Sequence, residues 1–372
     1  MPVSTRTAAP TATPVSTPAP TPQPTPAPTS PPTPTASPAA VDPDLAAALA
    51  FATDEASFFG YTNWAHLLGD QATNSSVDIV KVVFDLNATR AYASSSLTAQ
   101  LRVLRDTWAF DVRDLAWEVD VMLRDGTLAP DGGLFAVLQF RDTYDLAAVV
   151  ALMEQRDYKR GADVGDAAIY SHAMNVRDTW ITRGPFSMLN VAVIASQHRL
   201  VISTREAVVA GVVAATNGGS AGRPAGTDRA FALAPALGSP YATLMATGPD
   251  SCRGLGPGPM LPSGSPGPDL SAVGATLGTA VGFSDSAGVS PVTVALLYPD
   301  ATSAAADVET RAMLAKEDSA VSHRPYPESV MALSNGRVEG SVLVFDGAPR
   351  AGRPQVVVNA WLSRDFAFAA CP

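Results

Sequence analysis

Two stretches of this chain share one order of residues, and that order constrains the fold more than any other feature. Residues 292–318, VTVALLYPDATSAAADVETRAMLAKED, run from an apolar strand-length segment through a turn holding Asp300 into an amphipathic helix. Residues 134–156, LFAVLQFRDTYDLAAVVALMEQR, follow the same order, with Asp142 in the turn. Two copies of one unit point to a duplicated domain.

The rest of the pattern fills in around them. Strands are predicted at 56–64, 134–140, 167–172, 178–183, 189–195, 199–203, 240–247, 275–284, 292–298, 338–345 and 356–362, and residues 77–86 read as strand or helix. Residues 111–123 alternate apolar and polar through Leu115, Trp117, Val119 and Val121, which predicts a half-buried strand. Helices are predicted over 94–108, over Leu146, Val149 and Met153 after Asp142, over Val208 and Val212 after a capping-box spacing from Ser203 to Glu206, and over Ala305, Val308, Ala312 and Ala315. Hairpins are as frequent as crossovers. The fold class is therefore α+β: two related domains, each a mostly antiparallel sheet with helices packed on one face, after a disordered N-terminal tail. The expected divisions are a Pro/Thr-rich spacer at 1–41, a first domain at 42–216, a Gly-rich linker at 217–227 and a second domain at 228–372.

Residues 2–40 are almost wholly Pro, Thr, Ala and Ser, too poor in apolar surface to offset the cost of ordering the backbone. Such a run reads as an extended stalk. The net charge of -10 argues against a partner that presents a phosphate backbone, so nucleic acid is excluded as an expected partner. No apolar run reaches the roughly 18 to 20 residues a membrane-spanning helix needs. The opening MPVSTRTAAP has no apolar signal core, so tethering to a membrane would rest on a leader outside this chain.

Little in the sequence carries chemistry. Cys252 and Cys371 are an even pair, which fits a disulfide formed in an oxidising compartment. Asn74-Ser-Ser and Asn87-Ala-Thr match the glycosylation sequon. The G-x-S-x-G letters at 218–222 lack the strand-to-helix turn of a nucleophile elbow, and the Pro-rich GLGPGP lacks the N–H donors of a phosphate cradle. His66, His172, His198 and His323 have no metal-ligand spacing, so no metal and no cofactor is expected. Asp142 and Asp300 stand where helix N-caps belong, and capping accounts for them. Asp111, Asp114, Glu118 and Asp120, with Arg105 and Arg113, read as a solvated charged strand edge. Trp64, Trp108, Trp117 and Trp180 fall in the first domain, either as core or as an aromatic-lined ligand pocket.

The stretch FRDTYDLAAVVALMEQRDYKRG, the short IYSH strand and VISTREAVVAGV resemble, in their layout, uncharacterised bacterial secreted or lipid-anchored proteins that join a Ser/Thr/Pro spacer to repeated α+β domains. The resemblance covers residues 45–371 and implies no catalytic residue. The resulting expectation is an extracytoplasmic, non-enzymatic surface or binding protein of unknown protein or small-molecule partner, held off the cell surface by its stalk. Alternatives are a carrier of an apolar molecule or lipid, and a hydrolase whose site assembles from distant residues such as His172 and Asp300; a cytoplasmic location is the alternative to export.

Overall fold

A computed structural model describes residues 41–371 apart from 75–77, 93–94, 96, 99–100, 103, 125–132, 174–187, 218–226, 253–269, 286–289 and 335. Nearly all of the spacer and of the linker, the 178–183 strand, Trp180 and the G-x-S-x-G letters lie outside the described residues, as do residues 94, 96, 99–100 and 103 of the predicted 94–108 helix. The thirteen strands are β1 (Ala56–Thr62), β2 (Leu115–Leu123), β3 (Gly133–Phe140), β4 (Lys159–Arg160), β5 (Ala168–Ser171), β6 (Asn190–Ile194), β7 (Arg199–Ser203), β8 (Ala242–Thr247), β9 (Gly278–Phe283), β10 (Val292–Leu297), β11 (Met331–Leu333), β12 (Arg337–Glu339) and β13 (Val342–Pro349). They form one sheet in the order β11-β13-β10-β9-β8-β1-β2-β3-β7-β6-β5-β4, with β12 also on β13. Every pairing among them is antiparallel. The expected α+β class with an antiparallel sheet is what the chain adopts.

The stretches expected as two domains, 42–216 and 228–372, share one sheet, and residues 39–372 form one compact unit. The reason is the seam between β1 and β8, where Phe59 faces Met245 and Tyr61 faces Thr243, so that one ladder continues from one half into the other. Outward from that seam both halves run alike. Three strands meander, β1-β2-β3 and β8-β9-β10, and a later strand, β7 or β13, returns to pair with the third.

Helices cover both faces, which corrects the expectation of helices on one face. On one side lie α1 (Pro43–Leu49), α6 (Glu206–Asn217) and α7 (Thr227–Leu237), packing Leu45, Val209, Val213 and Leu233 against Tyr61, Trp117, Val137 and Ala280. On the other lie α2 (Trp64–Leu68), α3 (Ile79–Leu86), α4 (Leu104–Trp108), α5 (Ala147–Gln155), α8 (Ala301–Leu314), α9 (Tyr326–Ser329) and α10 (Gln355–Leu362), over Leu138, Leu200, Leu244 and Phe345. A sheet covered twice buries both sides of its strands. That is why β2 is not the half-buried strand its alternation predicts: Glu118 and Asp120 are 1% and 5% exposed. Trp64 Nε1–H donates to Glu118 Oε2 at 2.8 Å and Ser95 Oγ–H at 2.6 Å, satisfying the carboxylate under its cover.

Several local expectations are corrected too. Residues 355–362 form α10 rather than a strand; Pro354 at its start has no ladder N–H to give and presets the first turn, and Val357, Val358 and Trp361 then share a buried face. The helix after β3 starts at Ala147 with Leu146 in the cap position and no side-chain cap, so Asp142 is not its N-cap; Asp145 Oδ1 accepts from Ala147 N–H at 2.9 Å just ahead of it. Asp300 does cap α8, accepting from Ser303 N–H at 2.7 Å, and that bond holds its carboxyl below the usual range. Ser203 Oγ accepts from Arg205 N–H, a tighter turn than the predicted box.

Candidate functional site

The helix that follows β3 lies over the far end of the sheet, and its hold there is slight. Only Val149 and Met153 of α5 are buried, while Ala147, Ala148 and Ala151 remain exposed. Beside it the β6–β7 hairpin turns through a short 3-10 segment, Ala195–Gln197, closed by His198 in the left-handed region at φ 48°. Small side chains on the helix and a tight turn on the sheet leave a cleft of about 430 Å³ between them. Leu146, Val150 and Val193 give it an apolar floor, and Ala147, Ala151 and Ala195 narrow its walls.

The polar groups stand at its rim: Asp145, Glu154, His198 and Tyr144. Tyr144 O–H donates to Ala109 O at 2.9 Å, and burial, with the nearby Asp114 charge, pushes its phenol up to about 12. It stays a neutral, committed donor. Asp145 Oδ1 accepts from the Ala147 N–H at the start of α5. Lysine and arginine are absent from the described residues lining the cleft, so two carboxylates set the sign of its field. The chemistry available is reception of an apolar body carrying a cationic group.

The residues singled out from the sequence are scattered. Cys252 and Cys371 form a disulfide, with Cα atoms 5.2 Å apart across a sequence separation of 119. On the chain-entropy account a loop of that size contributes about 4 to 5 kcal/mol. Trp64 and Trp108 are buried on the α5 side of the sheet and Trp117 on the α1 side, so the three do not line one pocket; strand alternation on β2 separates Trp117 from the others. Beneath α1 and α6 the void beside Phe51 and Phe135 is about 10 Å³, room for no more than a water.

His172 lies against the Tyr158 ring at 5.0 Å, and Asp300 accepts from Ser303 N–H at the start of α8. His66 Nε2 meets Asp285 Oδ2 at 2.8 Å, the same oxygen that Arg90 Nη2 reaches at 3.0 Å, and its ring stacks on Tyr241. This cluster ties the first half of the chain to the second. Among the described residues no group of three His, Cys, Asp or Glu side chains could hold a metal ion. The α5 cleft itself was not foreseen from sequence. Its only sequence signal is the run of small residues AAVVA on the helix beside a hairpin.

No protein-family model matches this chain. A search of curated proteins finds no relative. Among solved structures, one titled "Structure of crystal form I of TP0453" aligns over 87% of this chain and 98% of its own, with a TM-score of 0.39 and 10% sequence identity. A likeness of that size carries no argument about activity.

Proposed function

We propose that this is an extracytoplasmic, non-enzymatic binding protein, built by duplication of one α+β unit and held on a Pro/Thr stalk, whose ligand seats in the cleft between α5 and the β6–β7 turn. The observation that carries the binding role is the cleft itself, an apolar concavity with carboxylates and no basic side chain among its described lining residues. The ligand class is an apolar molecule with a cationic head. The disulfide supports the compartment, since such bonds persist where thiols are oxidised. The matching order of strands on either side of the β1–β8 seam supports the duplication.

Isothermal titration with octylammonium, and with octanol as the neutral match, tests the binding role. Octylammonium binds the wild type, and Glu154→Gln weakens it about two- to fivefold in a salt-sensitive way, the size expected of an exposed charge pair. Val150→Arg places a cation on the apolar floor and abolishes binding. Equal binding by Val150→Arg and wild type removes the cleft from the account. For the compartment, alkylation of protein from its native source yields no free thiol; two free cysteines there would place it in the cytoplasm.

A further inference from the structure

A second cleft, of about 400 Å³, opens where the start of α3 meets the segment entering β2, and its electrostatics run against the rest of the molecule. The chain carries a net charge of -10, yet this cleft is lined by Arg102, Arg105 and Arg113 against Asp78 and Asp111. Both carboxylates are already engaged. Asp78 Oδ1 accepts from the N–H groups of Val80 at 3.0 Å and Lys81 at 3.4 Å, capping α3. Asp111, 1% exposed, accepts from Arg113 Nη2 at 2.7 Å and Arg105 Nη2 at 2.9 Å.

That buried carboxylate fixes two guanidinium groups in place, Asp114 Oδ2 shares Arg105 Nη2 at 2.9 Å, and Arg105 remains half-exposed. Arg102 is exposed and holds no ion pair among the described residues. Ile79, Val80 and Leu101 add an apolar wall. A lone exposed arginine is ordinary. One that lines a cleft beside two arginines pinned by a buried aspartate makes a preorganised receptor, because a planar fork of donors matches an oxyanion.

We propose that this cleft binds an oxyanion, a carboxylate or phosphate on an apolar body, with Arg102 pairing the ligand's charge and Arg105 completing its hydrogen bonds. Asp111 is a positioning residue there. The site is independent of the α5 cleft, and its ligand has the opposite charge.

The test is titration of the whole chain with octanoate and with inorganic phosphate, octylammonium serving as the control of opposite sign. Octanoate binds the wild type, phosphate competes with it more weakly, and Arg102→Ala weakens octanoate about two- to fivefold, as expected for an exposed charge pair. Arg102→Glu abolishes binding of both anions and leaves octylammonium unaffected. Because Arg102 holds no ion pair among the described residues, both variants are expected to keep the wild-type melting temperature, which separates loss of the site from loss of the fold. Phosphate binding with octanoate excluded would support the oxyanion site and identify an inorganic source. Wild-type protein that binds neither anion at millimolar concentration, or Arg102→Glu that binds them as the wild type does, overturns the proposal.

Discussion

Arg311 is fully buried, and what surrounds it shows how a charge is kept inside this protein. Its Nε–H donates to Asp307 Oδ2 at 2.8 Å and to the phenolic oxygen Tyr298 Oη at 3.0 Å, its Nη1 to Phe368 O at 2.9 Å and to Ala370 O, and its Nη2 to Gly274 O. Tyr298 O–H donates to the same Asp307 oxygen at 2.6 Å, and burial pushes its phenol up. Arg311→Met strands the Asp307 charge and three carbonyls; the expected cost is about 3 to 5 kcal/mol, read from the urea midpoint. Arg311→Lys restores little, since an ammonium cannot span donors arranged as a fork. A cost below about 1 kcal/mol, the scale of an exposed ion pair, would show the network to be dispensable. None of this was legible from residues 301–314. Asp and Arg four apart are the usual dress of a solvated helix, and the predicted buried face of Ala305, Val308, Ala312 and Ala315 is only partly right: Ala315 is buried, Val308 and Ala312 are half-buried, Ala305 is exposed, and the deepest positions are Ala304, Asp307, Arg311 and Leu314. The same blindness applies to Asp111, read as solvated edge and found buried between two arginines.

At the level of elements, α7 depends on glycine beneath it. A Cβ at Gly278 of β9 would come within 2.8 Å of Leu233 Cδ1, and one at Gly282 within 3.2 Å of Leu237 Cβ. Gly278→Val is expected to lift the helix and cost about 1 to 3 kcal/mol, with faster amide exchange along α7. Unchanged exchange in that variant would mean the helix does not rest where it is placed. The period of α7 is a clear helical one, with Ala230, Leu233, Ala234 and Leu237 buried, yet the sequence analysis leaves it unassigned beside a Gly-rich stretch and with Pro235 inside it. By contrast β1, β6, β7, β8, β9 and β10 fall within their predicted ranges and β3 starts one residue early at Gly133, because a strand buried on both faces is written as an apolar run between turn residues. Helix α10 was missed for the same reason: VVV is such a run, and only tertiary packing makes it helical.

For the whole molecule, four buried or half-buried carboxylates shape the response to acid. Burial raises Asp44, Asp114 and Asp365, with the Asp42 charge adding to Asp44. Burial also pushes Asp111 up, but the Arg113 and Arg105 guanidiniums outweigh it and hold the group below its ordinary 3.8. As pH falls from neutrality, the three raised groups bind protons in the folded state before they would in the unfolded chain, so stability rises. Below 3.8 the unfolded chain takes up the proton that Asp111 refuses, and stability falls as its ion pairs break. Thermal midpoints are expected to rise on leaving neutral pH toward acid and to fall again at lower pH as the Asp111 ion pairs break; a monotonic fall from neutral pH would contradict the raised three.

The β1–β8 seam has a further consequence for how the molecule is made. During synthesis β1 emerges early and can pair with β2, but the partner for its other edge lies half the chain away. Until β8 arrives, the middle of the finished sheet is an open edge, a template for the wrong neighbour. The longest wait in folding thus falls on the strand at the centre, so misassembly is expected to begin there, and a second chain offering its own β8 is the natural competitor.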